Sequence, residues 1–306
     1  MKNLKEALIS NTQSEKENEK GRALPENYVI EGNLRIKSEV AILLPTYCEA
    51  GNVARLIEEI ENLGINPLIL VVDDSSPDGT ANVVRHLQNK YSNIVLIIRP
   101  SKRGLGTAIT DSFKFLLSLE HPPKYVITMD ADFSHNPRDI KRLLHVAKKG
   151  YNLVIGSRYC KGGKAENWSP IRVLISKIAN FIASVLLGLS TKDCTSGLRC
   201  YSKALLKHIV NDLHSHTYEI QIETIRCATN KGFYIAELPI TFTSRKIGKS
   251  KLTFNEIKNF LGYIAKTKFR SYISVPQQLF VKRFSPLYVN LMRNYAEIIA
   301  KLKNLM

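Results

Sequence analysis

The chain has 306 residues, of which 44% are hydrophobic, a composition that supports a sizeable core and excludes an intrinsically disordered protein. Its formal net charge of +17 lies almost wholly in the second half: residues 1–150 carry 20 lysines and arginines against 19 acidic residues, whereas residues 151–306 carry 24 against 8. This asymmetry indicates that the second half meets an anionic partner, either phosphate groups or an acidic lipid surface, although nucleic acid would also fit the charge alone.

Residues 1–37 are predicted to form an N-terminal extension. Residues 1–10 have an amphipathic helical pattern and residues 11–21 are polar and charged, so the apolar core of a signal peptide is absent. No uncharged apolar run reaches the roughly 18 residues that a membrane-spanning helix needs. The five cysteines are odd in number and form no C-x-x-C pair, which favours reduced thiols in a cytosolic protein.

From Val40 onward, apolar runs alternate with amphipathic stretches, a pattern typical of an α/β protein with a doubly wound sheet. The predicted strands, in chain order, are Val40–Leu44, Leu68–Val72, Ile94–Ile98, Tyr125–Met129 and Leu153–Ile155. The predicted helices between them cover about residues 52–63, 80–91, 105–119 and 137–149.

Acidic side chains follow two of these strands. Asp73 and Asp74 come after the second strand, and Asp130 and Asp132 come after the fourth. Because the carboxyl ends of parallel strands meet at one edge of the sheet, where ligands bind, we expect these residues to converge. Two crowded aspartates repel each other unless a cation lies between them, so Asp130 and Asp132 indicate Mg²⁺ or Mn²⁺ together with a substrate diphosphate. A simple turn is the alternative interpretation of either pair.

The basic half of the chain contains three predicted amphipathic helices, at about residues 170–189, 252–270 and 287–305. The first begins at Pro170, with Ser169 as its cap, and has a narrow polar stripe on an otherwise apolar surface. Helices of this kind lie in the plane of a membrane, held by apolar burial and by attraction to anionic head groups. Ordinary helices that face the protein core are the alternative.

Six segments carry recognisable motifs in one order along the chain: Pro45–Glu49, Val71–Thr80, Gly104–Ala108, Met129–His135, Gly156–Tyr159 and Arg245–Lys251. Together they resemble the family-2 inverting glycosyltransferases of the GT-A fold, and among them the dolichyl-phosphate mannose synthases. The segment Gly162–Trp168 is similar to archaeal members. The resemblance implies an α/β fold with a Rossmann-like mixed sheet, a catalytic domain over residues 38–250 and membrane-surface helices over residues 251–306.

The resemblance also implies the roles of individual residues. The donor nucleotide sugar would contact Pro45, Tyr47, Glu49, Val72, Asp73, Asp74, Asp130, Ala131, Asp132, Ser134 and Arg158. The metal would be held by Asp130, Asp132 and Ser134, with glutamine commonly in place of Ser134 in relatives. The lipid phosphate would contact Arg158, Arg172, Ser176, Arg245 and Lys251. Catalysis would rest on Asp130, Asp132 and Arg158.

The activity that the resemblance implies is inverting transfer of mannose from GDP-mannose to dolichyl or another polyprenyl phosphate. The protein would work as a peripheral protein at the cytoplasmic face of a membrane, on an anionic lipid surface and without nucleic acid as a partner. Whether a separate subunit anchors it is left open. UDP-glucose or another nucleotide sugar as donor is one alternative, and a non-catalytic membrane-surface adaptor is an alternative of another class.

Overall fold

The computed structural model of the chain describes residues 24, 25, 27–244, 262–264 and 267. The chain divides into two compact units, Met1–Leu261 and Gly262–Met306, and the elements described below all belong to the first. The predicted phosphate-binding residues Arg245 and Lys251 lie outside the described residues. So do the predicted helix at 287–305 and nearly all of the one at 252–270.

The described part of the first unit contains ten strands and seven α-helices. The strands are β1 (Val29–Gly32), β2 (Val40–Thr46), β3 (Leu68–Asp73), β4 (Ile94–Ile98), β5 (Tyr125–Thr128), β6 (Leu153–Ser157), β7 (Lys164–Glu166), β8 (Arg199–Ser202), β9 (Ile235–Pro239) and β10 (Thr241–Thr243). The helices are α1 (Ala50–Glu61), α2 (Thr80–Gln88), α3 (Leu105–Ser118), α4 (Asp139–Ala147), α5 (Pro170–Leu187), α6 (Lys203–Ile209) and α7 (Ile220–Asn230), and a 3₁₀ turn covers Val210–Asp212.

Eight strands form the main sheet in the order β1-β4-β3-β2-β5-β8-β6-β9. Six of them run in one direction, whereas β1 and β8 are antiparallel to their neighbours. Strands β10 and β7 pair in parallel as a separate small sheet. The predicted mixed α/β sheet is therefore confirmed.

Helices cover both faces of the main sheet. On one face the apolar sides of α1, α2 and α4 form a single core with alternate strand residues, such as Ile42 and Val71. The intervening residues Leu43 and Leu70 point to the opposite face because side chains alternate along a strand, and α3 packs on β2 and β3 there. Phe113 of α3 meets Tyr201 of β8 edge to face, with ring centroids 5.1 Å apart.

The structure contains five strands that were not predicted from the sequence, β1, β7, β8, β9 and β10, and two of them show why. Residues 29–32, predicted to lie in the extension, form β1 at the edge of the sheet, where an exposed strand has little of the apolar pattern that prediction relies on. Strand β8 lies in the middle of the sheet although it begins with Arg199, whose guanidinium is fully buried. The Arg199 guanidinium donates hydrogen bonds to the carbonyls of Cys194, Ser196 and Gln221.

Helix α5 begins at Pro170, as predicted, with the side chain of Ser169 accepting a hydrogen bond from the Arg172 amide. Of its eighteen residues only Asn180 and Ala183 are buried. Its exposed large apolar side chains are Ile171, Leu174, Ile175, Ile178, Phe181 and Val185. Within the part of the chain that the structure describes, α5 is also the one helix whose length and composition would allow it to cross a membrane.

Candidate active site

The carboxyl ends of four parallel strands, β2, β3, β4 and β5, meet at one edge of the main sheet. The register places Thr46 of β2 beside Asp73 of β3, and Leu43 of β2 beside Thr128 of β5. Strand β4 continues the row, because its Ile98 lies beside Asp73. The residues that follow these strands therefore share one edge, which is where ligands bind in open α/β sheets.

Asp130 and Asp132 follow β5 at this edge. Asp132 is only 5% exposed, and its Oδ1 accepts hydrogen bonds from the amide of Ser134 at 3.0 Å and from its hydroxyl at 2.5 Å. Asp130 is more open, and Gly197 stands beside it: a Cβ on that glycine would lie 2.8 Å from Asp130 Oδ1. The glycine thus leaves space at the carboxylate that a larger residue would fill.

This arrangement fits a divalent ion that is shared with a substrate. Among the described residues, no cluster of three or more His, Cys, Asp or Glu side chains could enclose a metal ion. Mg²⁺ is typically bound by one or two carboxylates, with phosphate oxygens and water completing its shell. Asp130 and Asp132 supply such a pair. Ser134 orients Asp132, and its direct contact with a metal stays a prediction.

His135 lies next to the acidic pair. Its Nδ1 is 3.7 Å from Asp130 Oδ2, and neither ring nitrogen has a hydrogen-bond partner among the described residues. Burial lowers the pKa of His135 to about 4, although the negative charge of Asp132 opposes that shift, so the ring is neutral at physiological pH. Its ring packs edge to face with the ring of Phe242 in β10, with ring centroids 5.0 Å apart.

Asp73 and Asp74 hold the loops at this edge. Asp73 accepts hydrogen bonds from Thr46 Oγ1 at 2.9 Å and from the amide and hydroxyl of Ser76 at 2.8 and 2.6 Å. These bonds stabilise the turn after β3, as the alternative interpretation of this aspartate pair expected. Asp74 accepts from Arg99 Nε at 2.5 Å and from the amides that follow at residues 103 and 104. Contact of either carboxylate with a donor sugar nucleotide stays a prediction.

The other predicted donor contacts lie along the same edge. Pro45 is half-buried in β2, Val72 is buried in β3, and Ala131 is buried between Asp130 and Asp132. Lys102 places its ammonium 3.9 Å from the centre of the Tyr47 ring. Buried Glu49 precedes α1 and accepts a hydrogen bond from the side-chain amide of Asn52 at 2.9 Å.

Arg158 follows β6 and forms a buried ion pair with Asp193. Its Nε and Nη2 donate to the two carboxylate oxygens, each at 2.7 Å, and its backbone amide adds a third bond at 2.9 Å. Burial alone would raise the pKa of Asp193, but the charge and hydrogen bonds of Arg158 outweigh it, so the pKa lies below its ordinary value. Only Nη1 of this guanidinium makes no hydrogen bond within the described residues. The sequence did not reveal this pairing, because 35 positions separate its partners.

The loop over residues 193–197 therefore contacts both groups of charged residues. At its start Asp193 fixes Arg158, and at its end Gly197 lies against Asp130. Buried Arg199 donates to the carbonyls of residues 194 and 196 and so fixes the course of the loop. Phe242 forms a second connection, since its ring contacts His135 on one side and lies 5.4 Å from Arg158 Cζ.

The two remaining predicted phosphate contacts among the described residues lie in the first two turns of α5. Arg172 is exposed, and Ser176 stands one turn further on. The hydroxyl of Tyr159, the residue next to Arg158, donates to Ser176 Oγ at 2.6 Å. Arg158, Arg172 and Ser176 thus come together where β6 and α5 meet, although Tyr159 itself was not predicted.

Comparison with known proteins identifies the relatives of this chain. The family model described as "Glycosyl transferase family 2" matches residues 41–210. A polyprenol monophosphomannose synthase of Mycolicibacterium smegmatis is 36% identical over 235 residues, which cover 76% of this chain and 88% of that protein. A dolichol-phosphate mannosyltransferase of Pyrococcus furiosus is 36% identical over 232 residues, covering 74% of this chain and 62% of that protein. The chain therefore matches less than two thirds of the length of the second relative.

A solved structure supports the fold independently. Glucosyl-3-phosphoglycerate synthase from Mycobacterium tuberculosis, in complex with Mn²⁺, uridine diphosphate and phosphoglyceric acid, superposes with a TM-score of 0.56 and 17% sequence identity. The match covers 80% of this chain and 81% of that one. At this identity the likeness concerns the GT-A-type architecture alone.

Proposed function

Because the chain belongs to glycosyltransferase family 2, we propose that it transfers mannose from GDP-mannose to dolichyl or another polyprenyl phosphate, inverting the anomeric carbon. The observation that carries the proposal is the two-sided site: an acidic pair at the end of β5 and a group of arginines where β6 and α5 meet, joined by the loop over residues 193–197. The names of the two curated relatives point to the same reaction.

The donor side consists of the acidic pair and the loops along the sheet edge. Asp130 and Asp132 would hold Mg²⁺ or Mn²⁺, with Ser134 orienting Asp132. Bound there, the ion would neutralise the donor diphosphate and the charge that develops on the departing GDP. Pro45, Tyr47, Glu49, Val72, Asp73, Asp74 and Ala131 would line the nucleotide.

The acceptor side must bring an anion towards another anion. A lipid monophosphate has a second pKa near 6, about that of a phosphoserine, so its attacking oxygen is already largely ionised and needs no general base. Asp193 supports this reading, because it is fully buried and its carboxylate is occupied by Arg158. The work of the acceptor residues is therefore to reduce repulsion and orient the phosphate.

The arginines of the acceptor side differ in how they can reduce repulsion and orient the phosphate. The charge of Arg158 is compensated by Asp193, so Arg158 would orient the phosphate through Nη1 while adding little net positive charge. Arg172 is exposed on α5 and would supply more of the attraction, together with Arg245 and Lys251. Ser176 would contribute its hydroxyl at the same place.

A transfer assay tests the function directly. The purified protein is incubated with dolichyl phosphate and a divalent ion, with GDP-mannose, UDP-glucose or UDP-GlcNAc in separate reactions, and any glycolipid is identified by mass. We expect mannosyl phosphoryl dolichol from GDP-mannose alone. Product from UDP-glucose would select that alternative donor, and the absence of product together with salt-sensitive lipid binding would favour the non-catalytic adaptor.

We also propose that the protein binds at the cytoplasmic surface of an anionic membrane through the exposed apolar face of α5. We expect flotation with anionic liposomes to weaken as salt rises, because screening shortens the reach of exposed charges. At a given salt concentration, Phe181→Asp should float less with these liposomes than the wild type does. Tyr234→Asp is the matched control, since Tyr234 is equally exposed but lies outside α5. Salt-insensitive binding would mean that apolar insertion dominates, and equal losses in both variants would argue against α5 as the contact.

A further inference from the structure

Trp168, the single tryptophan of the chain, occupies a fixed position at the start of α5. It follows β7 and immediately precedes the helix cap Ser169. Phe242 of β10 meets its ring edge to face, with centroids 5.5 Å apart. Strand β10 pairs with β7, which ends two residues before Trp168, so Phe242 reaches the indole from the neighbouring strand of this small sheet.

Two guanidinium groups lie against this indole. Arg172 Cζ is 4.0 Å from the ring centroid, and Arg158 Cζ is 5.5 Å from it, both within the range of a cation–π attraction. The two arginines come from different elements, one following β6 and the other in the first turn of α5. A single aromatic ring thus lies beside both of the arginine side chains that are proposed to contact the acceptor phosphate.

The two arginines differ in their exposure and in the contacts that the structure describes for them. Asp193 fixes Arg158 with three hydrogen bonds, independently of Trp168. Arg172 instead extends from an exposed turn, and fixing so long a side chain costs conformational entropy when the ligand binds. A guanidinium already stacked on an indole loses less freedom at that moment, which is how preorganisation raises affinity.

We infer that Trp168 is a positioning residue of the acceptor site, which holds Arg172 beside Arg158 so that the pair receives the phosphate of a lipid monophosphate. The inference rests on the proposed function in taking that phosphate as acceptor. The indole Nε1–H is buried without a hydrogen-bond partner among the described residues. Trp168→Phe therefore removes no hydrogen bond within that part of the chain and tests the ring itself.

Steady-state kinetics separate positioning from space filling. We expect Trp168→Leu to raise the KM for a short-chain isoprenyl monophosphate about tenfold and to leave the KM for GDP-mannose unchanged, with Trp168→Phe between the two because a smaller ring attracts a cation less. In an Arg172→Ala background, Trp168→Leu should add nothing to the acceptor KM. Additive losses, or loss of thermal stability with both KM values unchanged, would overturn the inference.

A binding measurement distinguishes this inference from the proposed activity. Because Trp168 is the single tryptophan, its fluorescence reports on the site without turnover. In the absence of any donor, we expect the tryptophan fluorescence to change saturably with the isoprenyl monophosphate and to stay constant with the matching isoprenol. In Arg172→Ala the monophosphate should also leave the fluorescence unchanged. A response without transfer activity would contradict the proposed function and leave this inference standing. A wild-type protein that does not respond to the phosphate would refute the inference even if transfer occurs.

Discussion

Asp132→Asn is expected to abolish transfer while leaving the fold intact. The amide has almost the shape of the carboxylate and can still accept the hydrogen bonds of Ser134, but it removes one negative charge from the proposed ion site. Loss of a group that stabilises charge developing in a transition state typically lowers turnover by about 10²–10³-fold, and loss of a metal ligand should reach at least that range. The measurement is turnover with GDP-mannose while Mg²⁺ or Mn²⁺ is titrated.

Two matched variants make this experiment specific. Ser134→Ala removes a hydrogen bond that orients Asp132, so we expect a loss of about 10–100-fold, typical of groups that support a metal ligand. Asp73 lies at the end of the neighbouring strand, and its carboxylate bonds to Thr46 and Ser76. Asp73→Asn should therefore lower the unfolding temperature and leave the metal affinity nearly unchanged. Calorimetry should show Mn²⁺-dependent GDP binding in the wild type and in Asp73→Asn, and none in Asp132→Asn. If Asp132→Asn retains turnover with a divalent ion present, Asp132 is not a ligand of the catalytic metal.

The sheet could be predicted from the sequence wherever strands are buried on both faces. Strands β2 to β6 appear as nearly continuous apolar runs because helices cover both sides of the sheet and few positions of these strands face water. Strand β8 is equally buried but begins with Arg199, whose charge is accommodated by backbone carbonyls that only the folded loop supplies. Edge strands β1 and β9 are partly exposed and lack the signal.

The candidate site also could be predicted from the sequence only in part. Convergence of Asp74 and Asp130 follows from strand direction alone, because parallel strands place their carboxyl ends together. What the sequence could not specify is which carboxylates are already occupied by protein groups, since Asp74 is bonded to Arg99 and Asp193 to Arg158 across long separations. Such pairs depend on three-dimensional packing, and no local periodicity encodes them.

Asp193→Asn is expected to give the largest loss of stability among single substitutions at the site. It would leave Arg158, which is 7% exposed, without its counter-charge, and an amide NH₂ would face the donor groups of the guanidinium. Breaking a buried ion pair by removing one partner typically costs about 3–5 kcal/mol. In a domain of this size that corresponds to roughly 6–20 °C in the unfolding midpoint, measured by thermal denaturation.

The dependence of this loss on pH has a definite sign. Because the pKa of Asp193 is lowered in the folded protein, its contribution is fully present above the ordinary pKa of an aspartate and is lost as the pH falls through the lowered value. The difference in midpoint between wild type and Asp193→Asn should therefore shrink in acid. Glu58→Gln is the surface control: its partner Lys90 is exposed, so the midpoint should hardly move. Equal midpoints for wild type and Asp193→Asn would mean that the pair does not hold the loop.

The double variant Arg158→Met with Asp193→Leu separates stability from function. Replacing a buried ion pair with apolar side chains of similar volume is often neutral or stabilising, so the unfolding midpoint should recover most of what Asp193→Asn loses. Acceptor use should not recover, because Nη1 of Arg158 is absent and the phosphate would depend on Arg172 and the other proposed contacts. A stable double variant with a raised acceptor KM and an unchanged donor KM would show that the pair is kept for orientation of the acceptor. If its acceptor KM equals that of the wild type, Arg158 serves the fold alone, and the phosphate depends on α5 and its neighbours.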